Sequence, residues 1–325
     1  MKRLKVLFLP MSAFTTQWQD DLVAAIGDRH DLAIYDESRP LAEQFTGAEV
    51  VVDMGGSVGT RLMYDAADDA GLWQILGTGL DHVDDIDYLK TKAFAVANTP
   101  GQFSSVALAE CAMMFILMLA RRVDEAGANF ESSLMYEPLA DELERKVLVI
   151  VGFGASGQEL ARRARSFGMR IRAIDVRLEI ANEIADEIRP ESLGGPDTLD
   201  RELAGADFIS LHLHLNDQTR HLIDARRIAL MKSTACVINV ARGGLVDEAA
   251  MHQALLTGRL GGAGLDVFSQ EPADPTLPVY QLSNVITTPH IAGVTSGTSR
   301  RRAAAAAENV DRIASGLEPL FRVDR

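Results

Sequence analysis

The chain has 325 residues, of which 47% are hydrophobic and 24% are charged, and its formal net charge is −14. This length suggests two domains, since a domain usually has roughly 100–200 residues. The acidic balance argues against nucleic acid or an anionic membrane as the main partner. The longest apolar run, residues 111–120, is too short to span a bilayer, and the apolar stretch at 6–9 is too short for a signal peptide.

The two cysteines, Cys111 and Cys236, lie in apolar runs without the spacing of metal ligands or of a disulfide framework. We therefore expect a reduced, cytoplasmic setting and no metal site. If the ligands are anions, the positive charge that meets them must be local, because the surface as a whole is negative.

Short apolar runs alternate with helix-like segments, a pattern typical of parallel sheets joined by crossover helices. In the first part of the chain we predict strands at 4–9, 31–35, 49–53, 74–76 and 94–97, and helices at 17–26 and 60–70. A turn at 98–101 leads into a long apolar helix at 104–121 and an irregular connector at 131–145. The second part has predicted strands at 147–151, 170–175, 207–213, 235–240, 262–268 and 285–288, and helices at 156–167, 247–256 and 298–316.

A glycine-rich segment, Gly152-Phe153-Gly154-Ala155-Ser156-Gly157, joins an apolar strand to a predicted helix. In that setting the first glycine permits a tight turn, the second permits close approach to a pyrophosphate, and the third permits close packing of helix on strand. The helix N-terminus offers free N–H groups to phosphates. Asp175, at the end of the next strand, is suited to accept a hydrogen bond from an adenine ribose, which favours NAD over NADP.

Three segments of the second half place polar groups where apolar strands end, within residues 239–248, 264–272 and 287–293. Because ligands of doubly wound sheets bind at the carboxyl ends of the strands, Arg242, Glu271 and His290 are candidates to converge on one cleft. Arginine suits a carboxylate, histidine transfers protons near neutral pH, and a carboxylate beside the histidine orients its ring. Each residue alone has an ordinary structural interpretation, so the combination carries the prediction.

Two segments of the first half complete a family pattern. They are Gly77-Thr78-Gly79-Leu80-Asp81-His82-Val83-Asp84, and Ala97-Asn98-Thr99-Pro100-Gly101 followed by Glu110. Together with the glycine-rich segment and the three polar segments, they closely resemble the D-specific 2-hydroxyacid dehydrogenases in order and spacing. The resemblance extends over most of the chain.

This resemblance implies an α/β fold with two doubly wound parallel-sheet domains. A flavodoxin-like substrate (catalytic) domain would be discontinuous and comprise residues 1–100 plus 296–325. A Rossmann NAD-binding domain would be inserted as residues 101–295. The long helix from Ser104 would be a hinge and part of a homodimer interface.

The resemblance also implies an NAD-dependent oxidoreductase that transfers a hydride between the nicotinamide and a small D-2-hydroxy acid or 2-oxo acid. Arg242 would bind the substrate carboxylate, and His290, paired with Glu271, would be the acid and base. The residues expected to bind NAD are Thr78, Gly152, Gly154, Ala155, Ser156, Gly157, Asp175, Leu213, Val240, Ala241, Arg242, Asp266, His290 and Gly293. The residues expected to bind the substrate are Leu76, Gly77, Arg242 and His290.

The identity of the substrate stays open at this point. Alternatives within the family are a 3-phosphoglycerate dehydrogenase without a regulatory tail and a glyoxylate/hydroxypyruvate reductase, although Asp175 argues against the NADP-preferring kind. An alternative of a different class is an NAD(H)-sensing interaction protein similar to the transcriptional corepressors of this fold, since such proteins can keep the three polar residues.

The chain departs from the family pattern at several positions. Ala155 and Ser156 replace larger residues, often Arg-Ile, so we expect one basic contact to the pyrophosphate to be missing. His214 stands where proline is usual, and we favour a packing role for it. The basic run Arg300-Arg301-Arg302 is interpreted as a solvated helix start, with attraction of an anionic substrate as the alternative.

Overall fold

The computed structural model describes residues 1–12, 16–56, 58–179, 184 and 186–325. Contacts within the chain divide it into two compact units. The first unit consists of Met1–Phe103 and Thr295–Arg325, and the second is Ser104–Val294. No helix among the described residues has both the length and the apolar character needed to cross a membrane.

The first unit is built on five parallel strands in the order β2-β1-β3-β4-β5. This is the flavodoxin-like order, in which the chain reverses direction across the sheet between the first and third strands. The strands are β1 (Lys5–Leu9), β2 (Asp31–Ile34), β3 (Val50–Asp53), β4 (Leu72–Ile75) and β5 (Ala95–Ala97). The helices are α1 (Thr16–Ile26), α2 (Leu41–Phe45), α3 (Arg61–Ala66), α4 (Ile86–Lys90) and, from the C-terminal segment, α11 (Ser296–Ala314).

The C-terminal helix α11 is fixed to this first sheet by a buried amide pair. Asn309 donates a hydrogen bond of 2.6 Å to the side-chain oxygen of Gln74 on β4, and its own oxygen accepts one of 2.7 Å from the N–H of Leu320. Both amide side chains are buried, so each needs such a partner to avoid a large cost of dehydration. The last segment of the chain therefore belongs to the unit formed by its beginning.

The second unit is built on seven parallel strands in the order β12-β11-β10-β9-β6-β7-β8. The strands are β6 (Val147–Val151), β7 (Arg170–Ile174), β8 (Ser192–Gly194), β9 (Phe208–Leu211), β10 (Cys236–Asn239), β11 (Gly262–Leu265) and β12 (Val285–Thr287). The helices are α5 (Ser105–Arg121), α6 (Val123–Glu131), α7 (Ala155–Ser166), α8 (Leu199–Gly205), α9 (Ala225–Leu230) and α10 (Glu248–Leu256). Counted from β6, the order is that of the classical dinucleotide-binding sheet, with its reversal point between β6 and β9.

The predicted fold class is confirmed, because both sheets are parallel and doubly wound. The strands predicted at 207–213 and 262–268 are shorter than expected and end at Leu211 and Leu265. Beyond these points the backbone leaves the sheet and forms the loops that carry polar side chains. The sequence prediction missed the short strand β8 and several helices, namely α2, α4, α6, α8 and α9.

Candidate active site

The glycine-rich segment, here called the phosphate loop (residues 152–157), connects β6 to α7 at the reversal point of the second sheet. Gly152 has φ +94°, and a β-carbon there would lie 2.4 Å from the carbonyl oxygen of His212. A β-carbon on Gly157 would lie 2.3 Å from the carbonyl oxygen of Gly152. Only glycine is therefore compatible with these two positions, and the loop stays close to the end of β9.

The N-terminus of α7 is open for an anion. Gly154 is the residue before the helix and provides no side-chain cap. The first N–H groups of a helix have no partner within the helix, and the helix dipole adds a partial positive charge at this end. A pyrophosphate needs this kind of support, so the loop fits the phosphates of a dinucleotide.

Asp175 follows β7 beside the phosphate loop. One of its carboxylate oxygens accepts a hydrogen bond of 2.8 Å from the N–H of Phe153, and the other accepts one of 2.9 Å from the N–H of Arg177. Each carboxylate oxygen can accept a second bond, so a ribose hydroxyl can still be recognised. Asp175 therefore fixes the loop and keeps acceptor capacity that could serve a ribose hydroxyl.

A cation absent from the sequence prediction also lies at this loop. The guanidinium of Arg177 pairs with Asp175 at 3.5 Å. One of its terminal nitrogens is 3.7 Å from the position that a β-carbon would take on Gly154. Position 155 lacks a basic side chain, as expected. Arg177, which follows β7, places a guanidinium close to the phosphate loop instead.

His212, rather than the singled-out His214, is the histidine beside the phosphate loop. Its Nε2 is 2.9 Å from the hydroxyl of Ser210, and its Nδ1 is 3.0 Å from the hydroxyl of Ser156. Burial lowers the pKa of His212 to about 4, so the ring is neutral at ordinary pH. His214 is exposed, and its carbonyl accepts a hydrogen bond from Thr219. The packing role expected of His214 therefore finds no support in its surroundings.

His290 and Glu271 form a hydrogen-bonded pair. Nδ1 of His290 is 2.7 Å from one carboxylate oxygen of Glu271, whose other oxygen accepts a bond of 3.0 Å from the N–H of Phe268. Burial opposes the charged form of Glu271, but these two hydrogen bonds and the charges of His290 and Arg242 together lower its pKa. A carboxylate that stays ionised can hold the imidazole ring in one orientation through this hydrogen bond.

Arg242 lies at the end of β10, next to the loop that carries Glu271. A β-carbon on Gly243 would lie only 1.9 Å from the carbonyl group of Phe268, so the two loops are in direct backbone contact. The guanidinium of Arg242 donates a hydrogen bond to the carbonyl of Ala241, and its charge acts on Glu271. The structure thus brings Arg242, Glu271 and His290 to neighbouring strand ends of one sheet.

Asp266, expected to contact NAD, anchors the segment that carries His290. Its fully buried carboxylate accepts hydrogen bonds from the Thr288 hydroxyl at 2.6 Å and from the N–H groups of Ile291 and Ala292 at 2.8 and 2.9 Å. Its carbonyl accepts the N–H of His290 itself at 2.8 Å. His290 has φ +54°, an uncommon conformation for a non-glycine residue that persists only where its surroundings impose it.

Glu248 supports the loop of Glu271 from the other side. One carboxylate oxygen accepts a bond of 2.6 Å from the N–H of Ser269, and the other accepts one of 2.9 Å from the hydroxyl of Tyr280. The sequence prediction missed this role, because an acidic residue at a helix start is expected anyway. The remaining expected cofactor contacts of this unit are Leu213, which lies against Gly152, the buried Val240 and Ala241, and Gly293.

The expected contacts of the first unit follow β4. Arg302 on α11 donates hydrogen bonds of 3.2 Å to the carbonyl of Leu76 and to the hydroxyl of Thr78, and the carbonyl of the intervening Gly77 accepts the N–H of Thr99. The interpretation of residues 300–302 as a solvated helix start is therefore wrong for Arg302. Its contacts hold the Leu76–Thr78 turn, 226 positions away in sequence.

The described residues contain no group of three or more His, Cys, Asp or Glu side chains placed to hold a metal ion. A model of the D-isomer specific 2-hydroxyacid dehydrogenase, NAD binding domain, matches residues 113–292. The chain belongs to the D-isomer specific 2-hydroxyacid dehydrogenase family. The predicted cofactor, NAD, and the predicted class, an oxidoreductase of 2-hydroxy or 2-oxo acids, are thereby confirmed.

Named relatives of this dehydrogenase family are similar over much of the chain. Identity is 40% to hydroxypyruvate reductase of Thermotoga maritima, over 69% of this chain and 71% of that one. It is 34% to D-3-phosphoglycerate dehydrogenase of Methanocaldococcus jannaschii, over 85% of this chain, although the match spans only 52% of that enzyme. The crystal structure of D-lactate dehydrogenase with NAD+ from Lactobacillus jensenii superposes with a TM-score of 0.82 at 27% identity, covering 99% of this chain and all of the other.

Proposed function

We propose that the protein interconverts a small D-2-hydroxy acid and its 2-oxo acid, with His290 as the acid and base, Glu271 as its partner and Arg242 as the carboxylate ligand. The observation that carries this proposal is the His290–Glu271 hydrogen bond of 2.7 Å beside Arg242 on neighbouring strand ends. Bound NAD supplies or accepts the hydride at the substrate carbon.

The pairing assigns a task to each nitrogen of His290. Nδ1 is held by Glu271, so Nε2 is the atom that gives a proton to the substrate oxygen during reduction and takes it back during oxidation. The ionised carboxylate of Glu271 stabilises the imidazolium and keeps the ring oriented. Arg242, which is permanently charged, holds the substrate carboxylate and polarises the adjacent 2-oxo group.

The geometry of the second unit, residues 104–294, supports the following cofactor contacts. The phosphate loop holds the pyrophosphate with its N–H groups, Asp175 accepts from the adenine ribose, and Arg177 supplies a positive charge to the phosphates. NADH binding that weakens as salt is added would support the charge contact. We assign the first unit as the substrate domain, in which the Leu76–Thr78 turn held by Arg302 offers backbone groups to the substrate carboxylate.

The acid and base role is tested with His290→Asn, because asparagine tolerates the left-handed backbone conformation of this position. We expect kcat/KM to fall about 1,000-fold, since proton transfer is lost, while the Kd for NADH changes less than about twofold. His221→Asn is the matched control, because His221 is also an exposed histidine, with φ +50°. Equal losses of catalysis and of NADH binding would contradict the assigned role.

The substrate is identified by NADH consumption with glyoxylate, hydroxypyruvate, pyruvate, phenylpyruvate and phosphohydroxypyruvate. Preference for phosphohydroxypyruvate would favour a 3-phosphoglycerate dehydrogenase, and preference for the first two would favour a glyoxylate/hydroxypyruvate reductase. NADH binding without turnover of any of these acids would count against the proposed activity and favour a sensing role.

We propose that the chain forms a homodimer. Exposed apolar side chains are concentrated at the end of α6 and in the segment after it, where Phe130 is 84% exposed, Tyr136 94% and Leu139 90%. Burying such a patch is favourable, and a second copy of the chain is the occupant that the family resemblance implies. Light scattering at several concentrations tests this, and a monomer throughout would overturn it.

We also propose a cytoplasmic location. Cys111 and Cys236 are unpaired, and burial raises the pKa of each thiol to about 12, so neither is activated for disulfide exchange. A reducing compartment suits a chain with two free thiols. Fractionation of cells that produce the protein tests the location.

A further inference from the structure

A chain of three side chains, Ser210, His212 and Ser156, leads from the interior of the second sheet to the first turn of α7. Ser210 is fully buried on β9, and Ser156 lies in the first turn of the helix at the reversal point of the sheet. The two hydroxyls contact opposite nitrogens of the same ring, at 2.9 and 3.0 Å.

The fully buried Ser210 hydroxyl determines the direction of both hydrogen bonds. Among the described residues, His212 is the one hydrogen-bond partner of the Ser210 hydroxyl. A buried hydroxyl that cannot donate its proton is costly, so Ser210 donates to Nε2 of His212. Burial keeps the ring neutral, with a pKa of about 4, and a neutral imidazole has one N–H group. That N–H must then be on Nδ1.

The consequence appears at Ser156. If Nδ1 carries the proton, it donates to the Ser156 oxygen, and the hydroxyl proton of Ser156 is left for another acceptor. Ser156 stands in the first turn of α7, whose N-terminus has no side-chain cap and is suited to bind an anion. A hydroxyl that donates to a charged oxygen makes a stronger bond than one between neutral groups.

We propose that His212 is a positioning residue that holds the Ser156 hydroxyl as a proton donor to the cofactor pyrophosphate. The proposal rests on the cofactor contacts proposed above for residues 152–157. It explains how a phosphate loop without a basic side chain at position 155 provides an additional donor. Because the ring is neutral, the donor is available without the binding or release of a proton.

The binding test uses three probes, NADH, ADP-ribose and adenosine, with calorimetric measurement of Kd. NADH and ADP-ribose contain the pyrophosphate, whereas adenosine lacks it. We expect Ser156→Ala to raise the Kd of both pyrophosphate compounds about tenfold, and that of adenosine less than about twofold. Ser166→Ala is the control, because Ser166 is an exposed serine at the other end of the same helix.

A second measurement reports the tautomer directly. The 15N chemical shifts of His212 in the intact protein distinguish a protonated Nδ1 from a protonated Nε2, and we expect the proton on Nδ1. A proton on Nε2, an unchanged affinity of Ser156→Ala for ADP-ribose, or an equal loss for adenosine would each overturn the proposal. Failure of the unmodified protein to bind any of the three probes would instead overturn the cofactor site itself.

Discussion

Each of the two sheets has a fully buried aspartate at the carboxyl end of one strand, and each aspartate holds a following loop. Asp53 ends β3 and accepts long hydrogen bonds, from the N–H groups of Gly59 and Val58 at 3.2 and 3.4 Å and from the Trp73 indole at 3.3 Å. Asp266 follows β11 and accepts short ones, of 2.6 to 2.9 Å.

The difference shows that burial alone does not determine how such a carboxylate behaves. Burial raises the pKa of both groups, and for Asp53 the value reaches about 7, because its long hydrogen bonds replace little of the lost hydration. The short bonds to Asp266 hold the segment of His290 firmly. Of the two aspartates, Asp53, which holds the loop of the first unit, is therefore the one that changes charge near neutral pH.

The largest effect is expected from Asp53→Asn. The folded pKa of about 7 lies above the ordinary 3.8, so between these values the folded state holds a proton that the unfolded state has lost. The free energy of unfolding contributed by Asp53 therefore falls as pH rises through this window, by at most about 4 kcal/mol. Denaturation of the unmodified protein and of Asp53→Asn at several pH values measures the difference between their free energies of unfolding.

A difference between the two proteins that stays constant from pH 4.5 to 8 would contradict this assignment for Asp53. Asp28→Asn is the control, since it removes an exposed carboxylate from the same unit. Subtracting the free energy of unfolding of the variant from that of the unmodified protein removes the contributions of the other titrating groups. The most prominent of these is His212, whose lowered pKa of about 4 makes its own contribution to stability rise between pH 4 and 6.5.

A smaller effect, seen in catalysis, is expected from Asp266→Asn. The amide has one acceptor oxygen where the carboxylate uses two to accept three hydrogen bonds, so the segment of His290 shifts. A misplacement of about 1 Å costs on the order of 100-fold in rate, and we expect kcat/KM to fall by that factor. Asp274→Asn, at an exposed aspartate of the same unit, should retain nearly full activity. Full activity of Asp266→Asn would contradict the conclusion that the hydrogen bonds to Asp266 hold the segment of His290.

The smallest effect is expected from Thr288→Val, which removes the shortest of the hydrogen bonds to Asp266. We expect the free energy of unfolding to fall by about 2 kcal/mol, since the lost bond is to a charged group. Thr287→Val makes the same chemical change at the exposed neighbouring position. If the two variants are equally stable, the short bonds to Asp266 are not what holds this segment.

The phosphate loop could be predicted because its signals are local: glycines between an apolar strand and a helix, then an acid after the next strand. The proximity of Arg242, Glu271 and His290 to one another could be predicted, because neighbouring parallel strands have their carboxyl ends at the same edge of the sheet. The resemblance added the roles of these residues, which geometry alone does not assign.

Other parts of the site depend on contacts that no local pattern contains. Ser156 and His212 are 56 positions apart, and the hydrophobic run around Ser210 indicates only a buried strand. Arg302 resembles any basic residue near a helix start until the fold brings it to Leu76. Arg177 follows a strand end in sequence, and the pairing of β6 with β7 brings it close to Gly154.

The contact between Gly243 and Phe268 has a consequence for redesign of this protein. With no room for a β-carbon between them, the loop of Arg242 and the loop of Glu271 are shaped as one piece. A recombined loop that places a β-carbon at position 243, or that moves the backbone of Phe268 toward it, would create a clash. New substrate preferences are therefore more accessible to libraries that exchange both loops as a single block, with glycine retained at position 243.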